Sequence, residues 1–203
     1  MGFKLVFIDD NMKDGTADAF VRAIGKKIPD AEIAVFIDPD EGLNYIIDNI
    51  NSQLIAFVDC KFDGYTRQGI DILKEIRKKT SLLYIVMMSA NNLKQIDGRD
   101  IAAMINEDFI WFYDRNNGSV EDACTLIHRI TQYWSSRFDC VLERWLVRHR
   151  EDKNKIDFRQ LSGSSYTWEQ ILIELRLQTE IGHLFEQMIN QFYIYQLNGK
   201  EDE

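Results

Sequence analysis

Short apolar runs recur through the first half of the sequence, and amphipathic segments separate them. The runs are rich in β-branched and aromatic residues and are apolar at consecutive positions, which is typical of parallel strands that are covered on both faces. The predicted strands are Lys4–Ile8, Glu32–Ile37, Leu54–Val58, Leu82–Met88 and the shorter aromatic run Phe109–Phe112.

The segments between these runs carry apolar residues at helical spacing and charged residues on the opposite side. The predicted helices are Gly15–Lys27, Glu41–Ile50, Gly69–Lys79 and Ile101–Ile105. Strands that alternate with helices at this spacing imply right-handed crossovers and a parallel sheet. The first half of the chain is therefore predicted to be an α/β domain.

A turn signal, Asn116-Asn117-Gly118, marks a change in the character of the sequence. Before it lie residues 1–118, the predicted α/β domain, and after it lie residues 119–203, predicted to be a helical output or interaction region. Ser119 followed by Asp122 is a helix-start pattern. The helix that begins there is predicted to run to about Arg150.

The remainder of the chain reads as a polar loop and a last helix. The loop is predicted over Glu151–Ser165 and the helix over Thr167–Leu197, with Gly182 as a candidate interruption. Apolar residues along these helices favour a homodimer. Basic residues in this half alternate with acidic ones, so nucleic-acid binding is not expected, although a DNA-binding transcriptional regulator stays open as an alternative.

Charge and cysteine content restrict the compartment and the partners. The chain of 203 residues has a net charge of -9, which disfavours nonspecific binding to nucleic acid or an anionic membrane. Its three cysteines have no metal-ligand spacing, so a reducing, cytoplasmic location is expected. The apolar run at the N-terminus is too short for a signal peptide or a membrane span.

Acidic and hydroxyl side chains stand at the ends of three predicted strands. Asp9 and Asp10 follow the first strand, Asp59 follows the third, and Ser89 follows the fourth. Ligands of open parallel sheets bind beyond the carboxyl ends of the strands, where the first and third strands are neighbours in the flavodoxin-like order. Carboxylates that converge there suit Mg²⁺, and an aspartate can take up a phosphoryl group. Each of these residues alone is more often a helix cap or a turn residue, and the set as a whole, at the ends of the right strands, favours a site.

With these residues the first half resembles the receiver domain of bacterial two-component response regulators. The resemblance is carried by VFIDDN (Val6–Asn11), IAFVDCKFDG (Ile55–Gly64), GIDILKEIR (Gly69–Arg77) and IVMMSAN (Ile85–Asn91). It implies an α/β fold of the flavodoxin-like (βα)5 type, a doubly wound parallel sheet. The residue pattern after this domain predicts a smaller all-helical C-terminal region.

The resemblance also implies roles for individual residues. Asp59 would accept a phosphoryl group from a histidine kinase or phosphotransfer protein. Asp9, Asp10 and Asp59 would hold Mg²⁺ together with the backbone carbonyl of Lys61. Ser89 would contact the phosphoryl oxygens.

The family's lysine at the end of strand five is missing. The region reads DFIWFYDRNNG, which aligns Phe112 with the lysine and Tyr113 with the proline that usually follows, and no lysine lies between Lys94 and Lys153. Arg115 is the nearest basic residue and is interpreted as a solvated turn charge. Trp111 or Tyr113 is a candidate for the aromatic residue that moves with the hydroxyl in this family.

The leading hypothesis is a response-regulator-like signalling protein, phosphorylated at Asp59 with Mg²⁺, that relays the signal to its helical C-terminal region. The missing lysine keeps a second hypothesis open, a pseudo-receiver that acts as a protein-interaction module without phosphorylation. An enzymatic output is not expected, because no second catalytic constellation follows Gly118.

Overall fold

The computed structural model describes residues 2–90, 96–160 and 163–198. Contacts divide the chain into two compact units, Met1–Tyr133 and Trp134–Glu203. The helix after residue 118 thus groups with the first unit, while the predicted functional boundary at residue 118 stays a prediction. Among the described helices, none combines the length and the apolar composition that crossing a bilayer requires.

The first unit is built on a five-stranded parallel sheet in the order β2-β1-β3-β4-β5. The strands are β1 Phe3–Ile8, β2 Ala31–Phe36, β3 Leu54–Asp59, β4 Tyr84–Ser89 and β5 Ile110–Asp114. Every residue of β3 and β4 is buried, as expected for central strands covered on both faces. This sheet confirms the predicted doubly wound α/β fold, including the adjacency of the first and third strands.

In the described part of the first unit five helices accompany the sheet, and their starts follow the capping residues. They are α1 Ala19–Lys27, preceded by a 3-10 turn over Gly15–Ala17, α2 Pro39–Asp48, α3 Gly69–Arg77, α4 Gly98–Ile105 and α5 Val120–Trp134. The Asp18 carboxylate accepts from the amides of Phe20 and Val21, so α1 begins later than predicted. Asp38 caps α2 in the same way and moves its start earlier.

The predicted long helix to Arg150 is wrong, because the helix ends at Trp134 and a new one, α6 Phe138–Arg148, follows. The break falls at two serines, residues that compete for backbone hydrogen bonds and disfavour a helix interior. Arg137 then adopts an extended conformation and its guanidinium binds the Asp139 carboxylate, at 2.7 and 2.9 Å.

The second unit carries helices, as predicted, together with a two-stranded antiparallel hairpin. The hairpin consists of β6 Ile156–Arg159 and β7 Ser165–Thr167 and lies in the segment predicted as a loop. The last helix is divided into α7 Trp168–Leu177 and α8 Glu180–Asn198. Gln178 ends α7 in the left-handed conformation, so the interruption is there and not at Gly182.

An apolar cluster and a buried charge network hold α6, α7 and α8 together. The cluster consists of Leu142, Leu146, Ile171, Leu175 and Phe185. Beside it, Arg176 pairs with Asp139 at 3.2 Å and with Glu143 at 2.9 Å. Burial alone would raise the pKa of Asp139, but the arginines around it hold that pKa below its usual value.

Candidate functional site

Three carboxylates meet at the carboxyl edge of the parallel sheet. Asp9 and Asp10 follow β1 directly, Asp59 is the last residue of β3, and the pairing of Ile8 with Val58 brings the two strand ends level. One oxygen from each carboxylate lies within 4.8 Å of the others. Asp9 is fully buried and Asp59 nearly so. The structure therefore brings together the three carboxylates among the four predicted metal ligands.

Backbone amides orient two of these carboxylates. The Asn11 amide donates to Oδ1 of Asp9 at 2.8 Å, and the Asp63 amide donates to Oδ2 of Asp10 at 3.0 Å. The Lys61 amide lies 3.5 Å from Oδ1 of Asp59. Whether the carbonyl of Lys61 binds a metal stays a prediction.

Gln68 holds the loop that follows Asp59. Its side-chain oxygen accepts from the Phe62 amide at 3.0 Å, and its Nε2 donates to the carbonyls of Phe62 and Tyr65 at 3.1 and 2.9 Å. Because one side chain bridges both ends of this loop, the residues beside Asp59 are fixed relative to the start of α3.

The electrostatics of the cluster favour a cation. Burial, and to a smaller extent the negative charge of Asp9, raise the pKa of Asp59 to about 7. The hydrogen bond from the Lys61 amide and the positive charge of Arg115 act in the opposite direction and lower this pKa. Burial also raises the pKa of Asp9. Clustered carboxylates that resist ionisation are stabilised by a shared cation, and hard oxygen donors suit Mg²⁺. The residues present therefore fit a magnesium ion.

Ser89 and Cys60 flank the cluster. Ser89 ends β4 and is buried, one residue beyond Met88, which pairs with Asp59. Its predicted contact with phosphoryl oxygens stays a prediction. Burial and then the charge of Asp59 raise the pKa of the Cys60 thiol to about 12. Since the thiolate is the nucleophilic form, Asp59 suits nucleophilic attack here better than Cys60 does.

Arg115 reaches this cluster, and its interpretation as a solvated turn charge was wrong. Parallel pairing continues to the end of β4, where Ser89 faces Asp114, and the Arg115 amide donates to the Ser89 carbonyl at 2.8 Å. That placement brings the Arg115 guanidinium into an ion pair with Oδ2 of Asp9. Arg115 could have been placed at the site only from the register of β4 and β5, and the sequence pattern does not reveal that register.

Known structures resemble the first unit. The sequence matches no protein-family model and no curated protein. The receiver domain of NtrX from Brucella abortus superposes with a TM-score of 0.50 at 19% identity, covering 63% of this chain and 98% of its own. The isolated REC domain of RcsB from Salmonella enterica serovar Typhimurium was solved with the phosphomimetic BeF3⁻. It superposes with a TM-score of 0.50 at 15% identity and covers 65% of this chain and 90% of its own.

A third structure, the N-terminal domain of an uncharacterized protein from Wolinella succinogenes, gives a TM-score of 0.52 at 13% identity, covering 65% of this chain and 96% of its own. The first unit has the receiver-domain fold. At these identities the likeness concerns the fold alone.

The fifth strand of this sheet is aromatic, and the alignment of Phe112 with the lysine of receiver domains stays a prediction. Phe112 pairs with Met87, two residues before Ser89. Tyr113 is buried, its hydroxyl donates to the Ser119 carbonyl at 3.0 Å, and its ring stacks on Phe20 with centroids 5.6 Å apart. This packing ties Tyr113 to the start of α5. The switch role predicted for Trp111 or Tyr113 stays a prediction.

Proposed function

We propose that this chain is a response-regulator-like signalling protein whose Asp59 accepts a phosphoryl group with Mg²⁺. The observation that carries the proposal is the cluster of Asp9, Asp10 and Asp59, with oxygens within 4.8 Å of one another. The fold adds support, because a receiver domain is a signalling module that works with kinases or phosphotransfer proteins, rather than an enzyme.

In the proposed reaction, a carboxylate oxygen of Asp59 attacks the phosphorus of a phosphohistidine. The new O–P bond forms as the N–P bond breaks, and the leaving imidazole keeps the electron pair and takes a proton from water. Asp9, Asp10, Asp59 and the Lys61 carbonyl would hold Mg²⁺, which when bound supplies positive charge beside the phosphoryl oxygens. The Ser89 hydroxyl would donate to one of those oxygens.

Intact-mass measurement after incubation with Mg²⁺ and acetyl phosphate tests this proposal. The wild type is expected to gain one phosphoryl group, and Asp59→Asn none. Asp30→Asn, an exposed carboxylate before β2, is the matched control and should behave as the wild type. Absence of the added mass in the wild type, or its persistence in Asp59→Asn, would contradict the proposal.

A second candidate function is a pseudo-receiver that binds partners without phosphorylation. The ion pair of Arg115 with Asp9 favours it, because an internal cation already neutralises part of the pocket. Titration calorimetry separates the two candidates. A Mg²⁺ affinity too weak to measure at millimolar concentration would support the pseudo-receiver.

We further propose that α8 joins two copies of the chain. Exposed apolar side chains project from it at helical spacing: Leu184, Met188, Phe192 and Tyr195. Residues 187–198 contain no charged side chain. Since the chain carries a net charge of -9, two copies repel each other least where they meet through an uncharged surface. The kinase or phosphotransfer protein would be the partner of the first unit.

A further inference from the structure

We propose that Arg115 is a built-in cation of the acidic pocket, one that holds Asp9 until a divalent metal replaces it and then pairs with the incoming phosphoryl oxygens. The inference rests on the proposed function and deepens it. It concerns the positive charge that the turn after β5 brings to the acidic pocket.

The turn that carries Arg115 is closely held. Oδ1 of Asp114 accepts from the amides of Asn116 and Asn117 at 2.9 and 3.2 Å, and the Asn116 side chain donates to the Ala90 carbonyl. Gly118 closes the turn with a 2.7 Å hydrogen bond to the Asp114 carbonyl, where a Cβ would lie 2.5 Å from that oxygen. These contacts fix the backbone on both sides of Arg115, and none of them involves its guanidinium.

The charge of Arg115 acts on the pocket. Its guanidinium pairs with Oδ2 of Asp9, the oxygen that does not accept from the Asn11 amide. Among the ion pairs of the described residues, it is the one cation bound to Asp9, Asp10 or Asp59. Its charge also opposes the rise in the pKa of both Asp9 and Asp59.

A divalent metal and Arg115 would compete for the same carboxylate. Two cations on one oxygen repel each other, so metal binding favours release of the guanidinium. The planar guanidinium then offers paired donors to phosphoryl oxygens. Arg115 therefore has two opposite effects: it weakens metal binding in the resting state, and it accelerates phosphoryl transfer once the metal is bound.

Arg115→Gln separates these effects. In titration calorimetry without a phosphodonor, we expect the variant to bind Mg²⁺ about 3- to 10-fold more tightly than the wild type, because one nearby positive charge is removed. With saturating Mg²⁺ and acetyl phosphate, we expect its phosphorylation rate to fall about 10-fold or more. Arg115→Lys keeps the charge and should lie between the variant and the wild type in both measurements.

Arg22→Gln is the matched control. Arg22 is exposed on α1, and its replacement changes the net charge equally, so both measurements should stay at wild-type values. Unchanged behaviour of Arg115→Gln would overturn the inference. Weakened metal binding together with slower transfer would also overturn it, because a merely structural role of Arg115 predicts losses in both.

The two proposals fail in different ways. A wild type that binds no Mg²⁺ and gains no phosphoryl group contradicts the proposed function, and this inference falls with it. If the wild type binds Mg²⁺ and gains a phosphoryl group, and Arg115→Gln does so with the same affinity and rate, only the role of Arg115 is contradicted.

Discussion

The protonation state of Asp59 is expected to affect the unfolding free energy of the protein. Its pKa in the folded protein is about 7, whereas an unfolded aspartate has a pKa of about 3.9. A raised pKa means that the folded state holds the proton more tightly, so the stabilisation is complete below the unfolded pKa and is lost as the pH rises towards 7. The Asp59 carboxylate is therefore a source of instability at neutral pH whenever no metal ion is bound.

Denaturant unfolding of the metal-free protein measures this effect. As the pH rises from about 5.5 to about 8, the loss of the proton from Asp59 should cost the wild type about 2 kcal/mol of unfolding free energy relative to Asp59→Asn, which cannot titrate. Saturating Mg²⁺ should reduce the difference, because a cation offsets the repulsion. Parallel pH profiles of wild type and variant in EDTA would contradict the assignment of a raised pKa to Asp59.

At the scale of elements, the contact between β3 and α3 positions Asp59. The Gly69 amide, at the start of α3, donates to the Cys60 carbonyl at 3.2 Å, and a Cβ at Gly69 would lie 2.1 Å from the Asp59 carbonyl oxygen. Both groups are backbone, so a side chain here must push the helix away from the strand end. The close approach is therefore required by the geometry of the site.

Gly69→Ala is expected to lower the unfolding free energy by about 1–3 kcal/mol, as overpacking does, and to weaken Mg²⁺ binding by displacing Asp59. Gly98→Ala, at the start of α4, is the control, because a Cβ there meets nothing within 4 Å. It should leave the stability unchanged or raise it by up to about 1 kcal/mol. Denaturant unfolding and calorimetry check both variants, and equal behaviour of the two would count against the close contact.

The same elements show what the sequence pattern predicts and what it does not. Continuous apolar runs identified the five strands of the parallel sheet, because burial on both faces dictates the composition of its central strands, and parallel pairing then brought Asp9 and Asp59 to one edge. The observed starts of α1 and α2 differ by a few residues from the predicted ones, because these helices begin directly after their caps, Asp18 and Asp38. Such shifts follow from side chain-to-backbone hydrogen bonds, which apolar periodicity does not encode.

Features that depend on tertiary contacts were missed. Arg115 lies beside Asp9 because of the register of two strands and the form of the turn after them. The break after Trp134 and the hairpin of β6 and β7 lie in polar stretches whose periodicity is weak. In both cases local sequence leaves several conformations open, and packing selects among them.

At the scale of the whole molecule, the second unit presents apolar surface away from its core. The core uses Phe185 and Ile189 of α8, whereas residues 191–197 of the same helix are all exposed. Exposed apolar patches of this kind are usually covered by a partner. The favoured partner is a second copy of the chain. Two acidic copies that meet at any other surface bring like charges together, whereas this patch carries no charge.

Self-association through α8 predicts a dimer that a charge on this helix dissociates. Light scattering at micromolar concentration should give twice the chain mass for the wild type and the chain mass for Phe192→Glu/Tyr195→Glu. Tyr195 is 74% exposed, and Ile105 on α4, 75% exposed, offers an apolar-to-acidic control in the other unit. Ile105→Glu should stay dimeric. A monomeric wild type, or dissociation by Ile105→Glu as complete as by the α8 variant, would exclude α8 as the interface. Because these side chains are exposed within the chain, a change in mass reports on association rather than unfolding.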